Sequence, residues 1–171
     1  MTAMRHVGTL LAFAVMALAS DAGSAFAQVP AAVAAPGQTP ALTLHAEGAQ
    51  IYECKVASDG KLAWAFREPI ATLILDGRTV GRHYAGPNWE HLDGSAITGK
   101  AAGSAPGATA GDVPWLKLEI VSRRGSGTLA EVTTVQRINT SGGALSRPCD
   151  QAGVLRSVPY SADYVFLRSG G

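Results

Sequence analysis

The sequence lacks the features by which several large functional classes are recognised. Its 14 Lys and Arg residues nearly balance 13 Asp and Glu residues, so no basic excess is available to follow a phosphate backbone. It contains neither a Gly-Lys-Ser/Thr loop nor a Gly-x-Ser-x-Gly motif, and no Gly-x-Gly-x-x-Gly follows a predicted strand. These absences argue against a nucleic-acid partner, a nucleotide site and a serine-hydrolase elbow, and we expect no cofactor.

Long hydrophobic runs are also missing, apart from one near the N-terminus. Arg5 precedes an apolar run over residues 7–19, and Ala25-Phe26-Ala27 follows it. This order is typical of a secretory signal peptide, so we expect residues 1–27 to be removed before Gln28. The alternative of a membrane anchor is disfavoured, because the run is shorter than the about 20 apolar residues that span a bilayer. The sequence thus predicts an exported protein, periplasmic or extracellular, with no membrane span after cleavage.

Cysteine is scarce, with only Cys54 and Cys149 in the chain. Both lie in the part that would be exported, into a compartment where thiols oxidise. We therefore expect a disulfide between them. The alternative is two unpaired buried cysteines, since the geometry of the pair cannot be derived from sequence.

Alternation of apolar and polar residues is the dominant pattern after the leader, and no segment shows a helical period. Asp-Gly turns at residues 59–60, 76–77 and 93–94 separate short strand-like segments. Residues 51–67 are predicted to form a β-hairpin. A second, longer hairpin is predicted from strands over residues 114–120 and 128–139, and residues 161–168 are predicted to form a closing strand. The sequence predicts an all-β fold: one domain over residues 48–171, an antiparallel meander that forms a β-sandwich or a partly closed β-barrel.

Two segments lack any such alternation. Residues 28–47 are rich in Ala and Pro, and are predicted to be a flexible leader. Residues 101–112 consist almost entirely of Ala, Gly, Ser and Pro, which predicts a mobile surface loop.

The stretch over residues 81–95 concentrates histidines, acids and aromatics between glycines. The strand predicted over residues 80–84 places His83 on the same face as the small residues Gly81 and Ala85, which leaves room for a carboxylate partner. We interpret the stretch as a binding site for a small molecule, a glycan or an envelope partner. The candidate ligand-binding residues are His83, Tyr84, Trp89, Glu90, Asp93 and, from the closing strand, Asp163.

The alternative interpretation is a hydrolase or a metal-dependent enzyme that uses His83 with Glu90 or Asp93. Imidazole and carboxylate ligands suit transition metals. However, His83 has no ligand two or four positions away, and the adjacent Glu90 and His91 would point to opposite faces of a strand. A hydrogen-bonded histidine near a turn is therefore favoured over a metal ligand, and no metal is predicted.

Several motifs together carry a family resemblance. The longest are the segment from Gly81 to Glu90, Val113-Pro-Trp-Leu116, Val135-Gln-Arg-Ile-Asn-Thr140 and Val158-Pro-Tyr-Ser-Ala-Asp-Tyr164. They resemble the uncharacterised exported bacterial and fungal family catalogued as domain of unknown function 3455, over nearly all of residues 48–168. The resemblance implies no activity, so the site residues become motif positions without assigned roles.

Overall fold

The protein is a single antiparallel sheet of eight strands that closes into a ring. The computed structural model describes residues 29–170, so the predicted signal peptide at residues 1–27 lies outside the described residues. Strands adjacent in sequence are adjacent in the sheet, and the first strand also pairs with the last. The strands are β1 (Gln38–Val56), β2 (Leu62–Leu75), β3 (Arg78–Tyr84), β4 (Asn88–His91), β5 (Ala96–Ala105), β6 (Trp115–Arg124), β7 (Thr134–Gly142) and β8 (Leu155–Ser169).

The predicted all-β antiparallel meander and single domain are confirmed, and the ring is complete rather than a sandwich or a partly closed sheet. Closure follows from the length of the outermost strands, because β1 pairs with β8 from Gln38 to Glu53. Strand alternation fills the interior: Ala162, Tyr164 and Phe166 of β8 are buried. No helix within residues 29–170 is long and apolar enough to cross a membrane.

One end of the ring is closed by the connection between β6 and β7. Leu129 and Val132 of this connection are buried in the core. We call this connection the plug. The backbone N–H of Leu129 donates to the Ser95 hydroxyl at 3.1 Å, which fixes the plug to the β4–β5 turn. The predicted strand over residues 128–139 is therefore wrong in its first half, because residues 128–133 turn inward to bury apolar side chains.

The opposite end, here called the mouth, carries the β1–β2, β3–β4, β5–β6 and β7–β8 connections. The Cys54–Cys149 disulfide predicted from the sequence is present and joins the end of β1 to the β7–β8 connection. Backbone hydrogen bonds from Cys54 N to Val154 O and from Gly153 N to Cys54 O hold the same connection. The disulfide and these hydrogen bonds thus hold the β7–β8 connection against the end of β1 at the mouth.

The predicted flexible leader at residues 28–47 is wrong from Gln38 onward, because β1 begins there. Its weak strand propensity is overridden by pairing with β8 on one side and, from His45, with β2 on the other. Even the preceding 3₁₀ turn at Ala31–Val33 is packed, since the Gln136 side chain donates to Val33 O at 2.7 Å.

The predicted mobile loop at residues 101–112 is also largely ordered structure. Its first half belongs to β5, which pairs with β6 as far as Ala105. The remainder is held by Asp112, whose carboxylate accepts hydrogen bonds from the Thr109 amide and hydroxyl and from Gly142 N. Small residues here permit close packing: a side chain at Gly103 would clash with the backbone of Ala32.

Candidate functional site

A cavity of about 310 Å³ lies inside the mouth of the ring. Its wall is mainly apolar, formed by Phe66, Pro87, Trp89, Leu116 and Leu118, which come from β2, the β3–β4 turn, β4 and β6. Phe66 is 55% exposed, so the cavity reaches the protein surface at this side chain. Four polar side chains also line it: Arg67 at the rim, and His83, Arg137 and Tyr164. Such a mainly apolar pocket with few polar groups is the usual form of a small-molecule site.

His83 and Trp89 form the aromatic wall of this cavity. Their rings stack with centroids 4.6 Å apart and planes 13° from parallel. The indole has room because Gly99 of β5 lies beside it, where a Cβ would lie 3.0 Å from the Trp89 ring. The indole Nε1 is buried and has no hydrogen-bond partner among residues 29–170.

The imidazole of His83 is held in one tautomer. Its Nδ1 lies 2.8 Å from the carbonyl oxygen of Asn88, and a carbonyl only accepts, so Nδ1 carries the proton. Burial lowers the pKa of His83 to about 3, opposed by this hydrogen bond and assisted by the nearby charge of Arg137. The ring is therefore neutral near pH 7, with Nε2 as an acceptor. The carboxylate partner expected from the sequence is replaced by a backbone carbonyl.

The β3–β4 turn positions that carbonyl. Gly86 has φ +123, a conformation that other residues rarely adopt, and a side chain there would meet Asn88. The Asn88 amide donates to Ala85 O within the turn and accepts from the Thr98 hydroxyl of β5 at 2.5 Å. The turn is thus fastened to the neighbouring strand, which fixes the orientation of the His83 ring.

Arg137 of β7 is the second buried polar side chain of the cavity, only 9% exposed. Its Nε and Nη2 donate to Pro114 O at 3.1 and 2.8 Å. No carboxylate within residues 29–170 lies within 4.0 Å of its guanidinium nitrogens. The guanidinium also lies beside Tyr164, whose pKa is raised by burial and pulled down again by this charge.

Two further candidates from the sequence, Tyr84 and Glu90, lie on the outer surface of the ring. The Tyr84 hydroxyl donates to the Glu90 carboxylate at 3.0 Å, and Arg82 and Arg124 approach the same carboxylate at 3.1 and 3.3 Å. Hydrogen bonds from Arg82 and Tyr84 hold the pKa of Glu90 below its usual range. The cluster is satisfied within itself and does not reach the cavity.

Asp93 and Asp163 also lie away from the cavity. Asp93 accepts hydrogen bonds from the Ser95 hydroxyl at 2.6 Å and from the amide and hydroxyl of Thr128, both at 2.7 Å. These contacts hold the pKa of Asp93 well below its usual range and anchor the plug at the closed end. Asp163, on β8, bonds His45 Nδ1 and the Asn139 amide on the outer surface.

The residues of the alternative enzyme interpretation do not converge. His83 faces the interior, Glu90 the outer surface and Asp93 the closed end. Within residues 29–170 no group of three or more His, Cys, Asp or Glu side chains is placed to hold a metal ion. Because the three side chains lie apart, their geometry does not support catalysis by His83 with Glu90 or Asp93.

The sequence stretch over residues 81–95 therefore contributes two cavity residues, His83 and Trp89, rather than a continuous site. Sequence reasoning missed Arg137 and Tyr164, which come from β7 and β8. A signal for Arg137 was present, since it is two residues after Val135, on the face of β7 that faces the core. A charged residue that shares a strand face with a buried valine marks a polar group inside the ring.

Fold and cavity together define a small closed β-ring with a pocket of ligand size at its mouth. The chain belongs to the family described as protein of unknown function DUF3455, whose model matches residues 34–77 and 74–168. Neither the curated proteins nor the solved structures contain a significant match to the chain.

Proposed function

We propose that the protein is a binding module that takes a small, mainly apolar molecule into the mouth of the ring. The observation that carries the proposal is the cavity itself, apolar on most of its wall and lined by the two buried polar side chains His83 and Arg137. A ligand would contact Trp89 and His83 on one side and Leu116 and Leu118 on another. Tyr84, Glu90, Asp93 and Asp163 would then support the ring without touching the ligand.

Cavity size limits the ligand. A water molecule occupies about 30 Å³ of liquid, so about 310 Å³ corresponds to roughly ten non-hydrogen atoms. This volume lies at the lower end of the range for ligand pockets. A sugar chain or a protein segment would project from the mouth, so a compact molecule fits best.

The test is calorimetric titration with 3-phenylpropan-1-ol, an uncharged molecule of suitable size. We expect a dissociation constant of about 1 mM or lower, equivalent to about −4 kcal/mol. Ala101 lines the cavity whereas the neighbouring Ala102 does not, so the two alanines offer a matched pair of variants. Ala101→Trp should abolish binding and Ala102→Trp should leave it unchanged. Equal affinity of both variants and the wild type would place binding elsewhere on the protein.

We also propose that the protein is exported. The predicted signal peptide at residues 1–27 and the Cys54–Cys149 disulfide support this localisation. Cell fractionation of the native host, followed by intact-mass measurement, tests it: a mature chain that begins at Gln28 and is two protons lighter than its reduced form is expected. Recovery of the full chain from the cytoplasm would contradict the proposal.

A further inference from the structure

We propose that the ligand of the mouth cavity carries one carboxylate group, which pairs with the guanidinium of Arg137. This inference rests on the proposed function, because it names the chemical class of the molecule that the cavity binds. The ligand class is a monocarboxylate of about ten non-hydrogen atoms in total, most of them apolar, as the cavity of about 310 Å³ requires.

The burial of Arg137 without a counter-ion is the first step. Buried charges in proteins are normally paired, since an isolated ion loses its hydration on burial. Arg137 has no carboxylate within 4.0 Å among residues 29–170, and its charge is met only by the carbonyl of Pro114 and by the tyrosine beside it. A cation held in this way at the wall of a cavity is suited to an anion that enters the cavity.

The second step is the number of free donors. A guanidinium has five N–H groups, and two of those on Arg137 bond Pro114 O, so three are left for the neighbouring Tyr164 and for a ligand. Two N–H groups on one guanidinium match the two oxygens of a carboxylate. The two hydrogen bonds to Pro114 O hold the guanidinium plane of Arg137, so the group is already oriented before a ligand binds.

The third step is the charge of the remaining wall. His83 is neutral near pH 7, and Arg67 at the rim already pairs with Glu53 at 3.8 Å and Glu68 at 3.3 Å. Arg137 is thus the unpaired charge of the cavity. One charge suits a single carboxylate, whereas a phosphate monoester would bring a second negative charge into an apolar site without a second cation.

The experiment compares 3-phenylpropionate with 3-phenylpropan-1-ol, which have the same apolar body. Because hydrogen bonds to charged groups are stronger than neutral ones, the acid should bind wild-type protein about ten- to a hundredfold tighter than the alcohol near pH 7. In Arg137→Met the acid should lose this advantage while the alcohol keeps its affinity. Arg137→Lys, which keeps the charge but not the guanidinium, should fall between.

Arg123 supplies the matched control variant. Its Nε and Nη2 donate to Val132 O at 3.2 and 2.7 Å, the same contact that Arg137 makes, but on the connection at the closed end. Arg123→Met should leave the preference for the acid unchanged. If Arg137→Met does not fold, the wild-type ratio and Arg137→Lys still decide the question.

The outcomes separate the two proposals. Equal binding of acid and alcohol by the wild type would overturn the carboxylate inference and leave the cavity as a binding site. An advantage for the acid that persists in Arg137→Met would also overturn it. Binding of neither compound at millimolar concentration would contradict the proposed function, and with it the inference that rests on it.

Discussion

Acidification is expected to destabilise the protein through His83 before the carboxylates protonate. The folded protein keeps the ring neutral, because burial lowers the pKa of His83 from 6.5 to about 3. The unfolded chain binds a proton near pH 6.5, so the unfolded state takes up more protons below this pH. The contribution of the neutral histidine is therefore fully present above the unfolded pKa and is lost as the pH falls toward the folded pKa.

The magnitude follows from the width of the pH window. Each pKa unit corresponds to about 1.4 kcal/mol, but the unfolded histidine is only half protonated at about pH 6.5. From about pH 6.5 to about pH 4.5 the free energy of unfolding should therefore fall by about 2.3 kcal/mol. With a urea m-value of about 2 kcal/mol per M, the unfolding midpoint should fall by about 1.2 M. The depressed pKa values of Glu90, Asp93 and Asp112 act at lower pH.

The assay is urea unfolding at the two pH values for wild type, His83→Phe and His45→Gln. Phenylalanine keeps an aromatic ring against Trp89 but cannot titrate, so most of this acid sensitivity should disappear in His83→Phe. His45 is on the outer surface beside Asp163, and its variant should retain the wild-type slope. An unchanged slope in His83→Phe, or an NMR titration of His83 near pH 6.5 in the folded state, would refute the reasoning.

Three other outcomes are expected. Asp93→Ala should lower the melting temperature by several degrees and leave ligand affinity unchanged, because Asp93 anchors the plug at the closed end. Thermal unfolding and calorimetry measure the two quantities. Weakened binding without a lower melting temperature would argue for a role of Asp93 in the site. Replacing Cys54 and Cys149 by Ser should lower the free energy of unfolding by about 4 to 5 kcal/mol for the loop of 95 residues, and a loss near zero in urea titrations would contradict the constraint. Burial raises the pKa values of Tyr160 and Tyr164, so stability should fall above about pH 10, where the unfolded chain loses these protons first. Ultraviolet titration should show the ionisation of these two tyrosines only on unfolding. Titration of both at the pKa of free tyrosine would contradict their burial.

Much of the fold could be predicted from the sequence, because period-2 alternation and Asp-Gly turns are local signals. The start of β1 could not, since residues 38–47 include Pro40, Gly48 follows directly, and the strand is stabilised by partners at the far end of the chain. The ordered half of the segment at 101–112 was missed for a similar reason. Its small residues have low strand propensity but fit where the chain packs closely.

The candidate site was predictable only in part. His83 and Trp89 stand out because rare side chains cluster near one bend, and both line the cavity. Sequence proximity also drew in Tyr84 and Glu90, although strand alternation sends them to the outer surface. Arg137 is about fifty residues away from the bend, and only the closure of the ring brings the two together.

The most direct test of ligand binding in the mouth is an NMR titration of labelled protein with 3-phenylpropionate. We expect the largest shifts at the Trp89 indole N–H and the Arg137 Nε–H, with a saturable curve and little change at Asp93 or Asp163. Shifts confined to the outer surface around Glu90 and Asp163, with the Trp89 and Arg137 signals unmoved at saturation, would contradict the account.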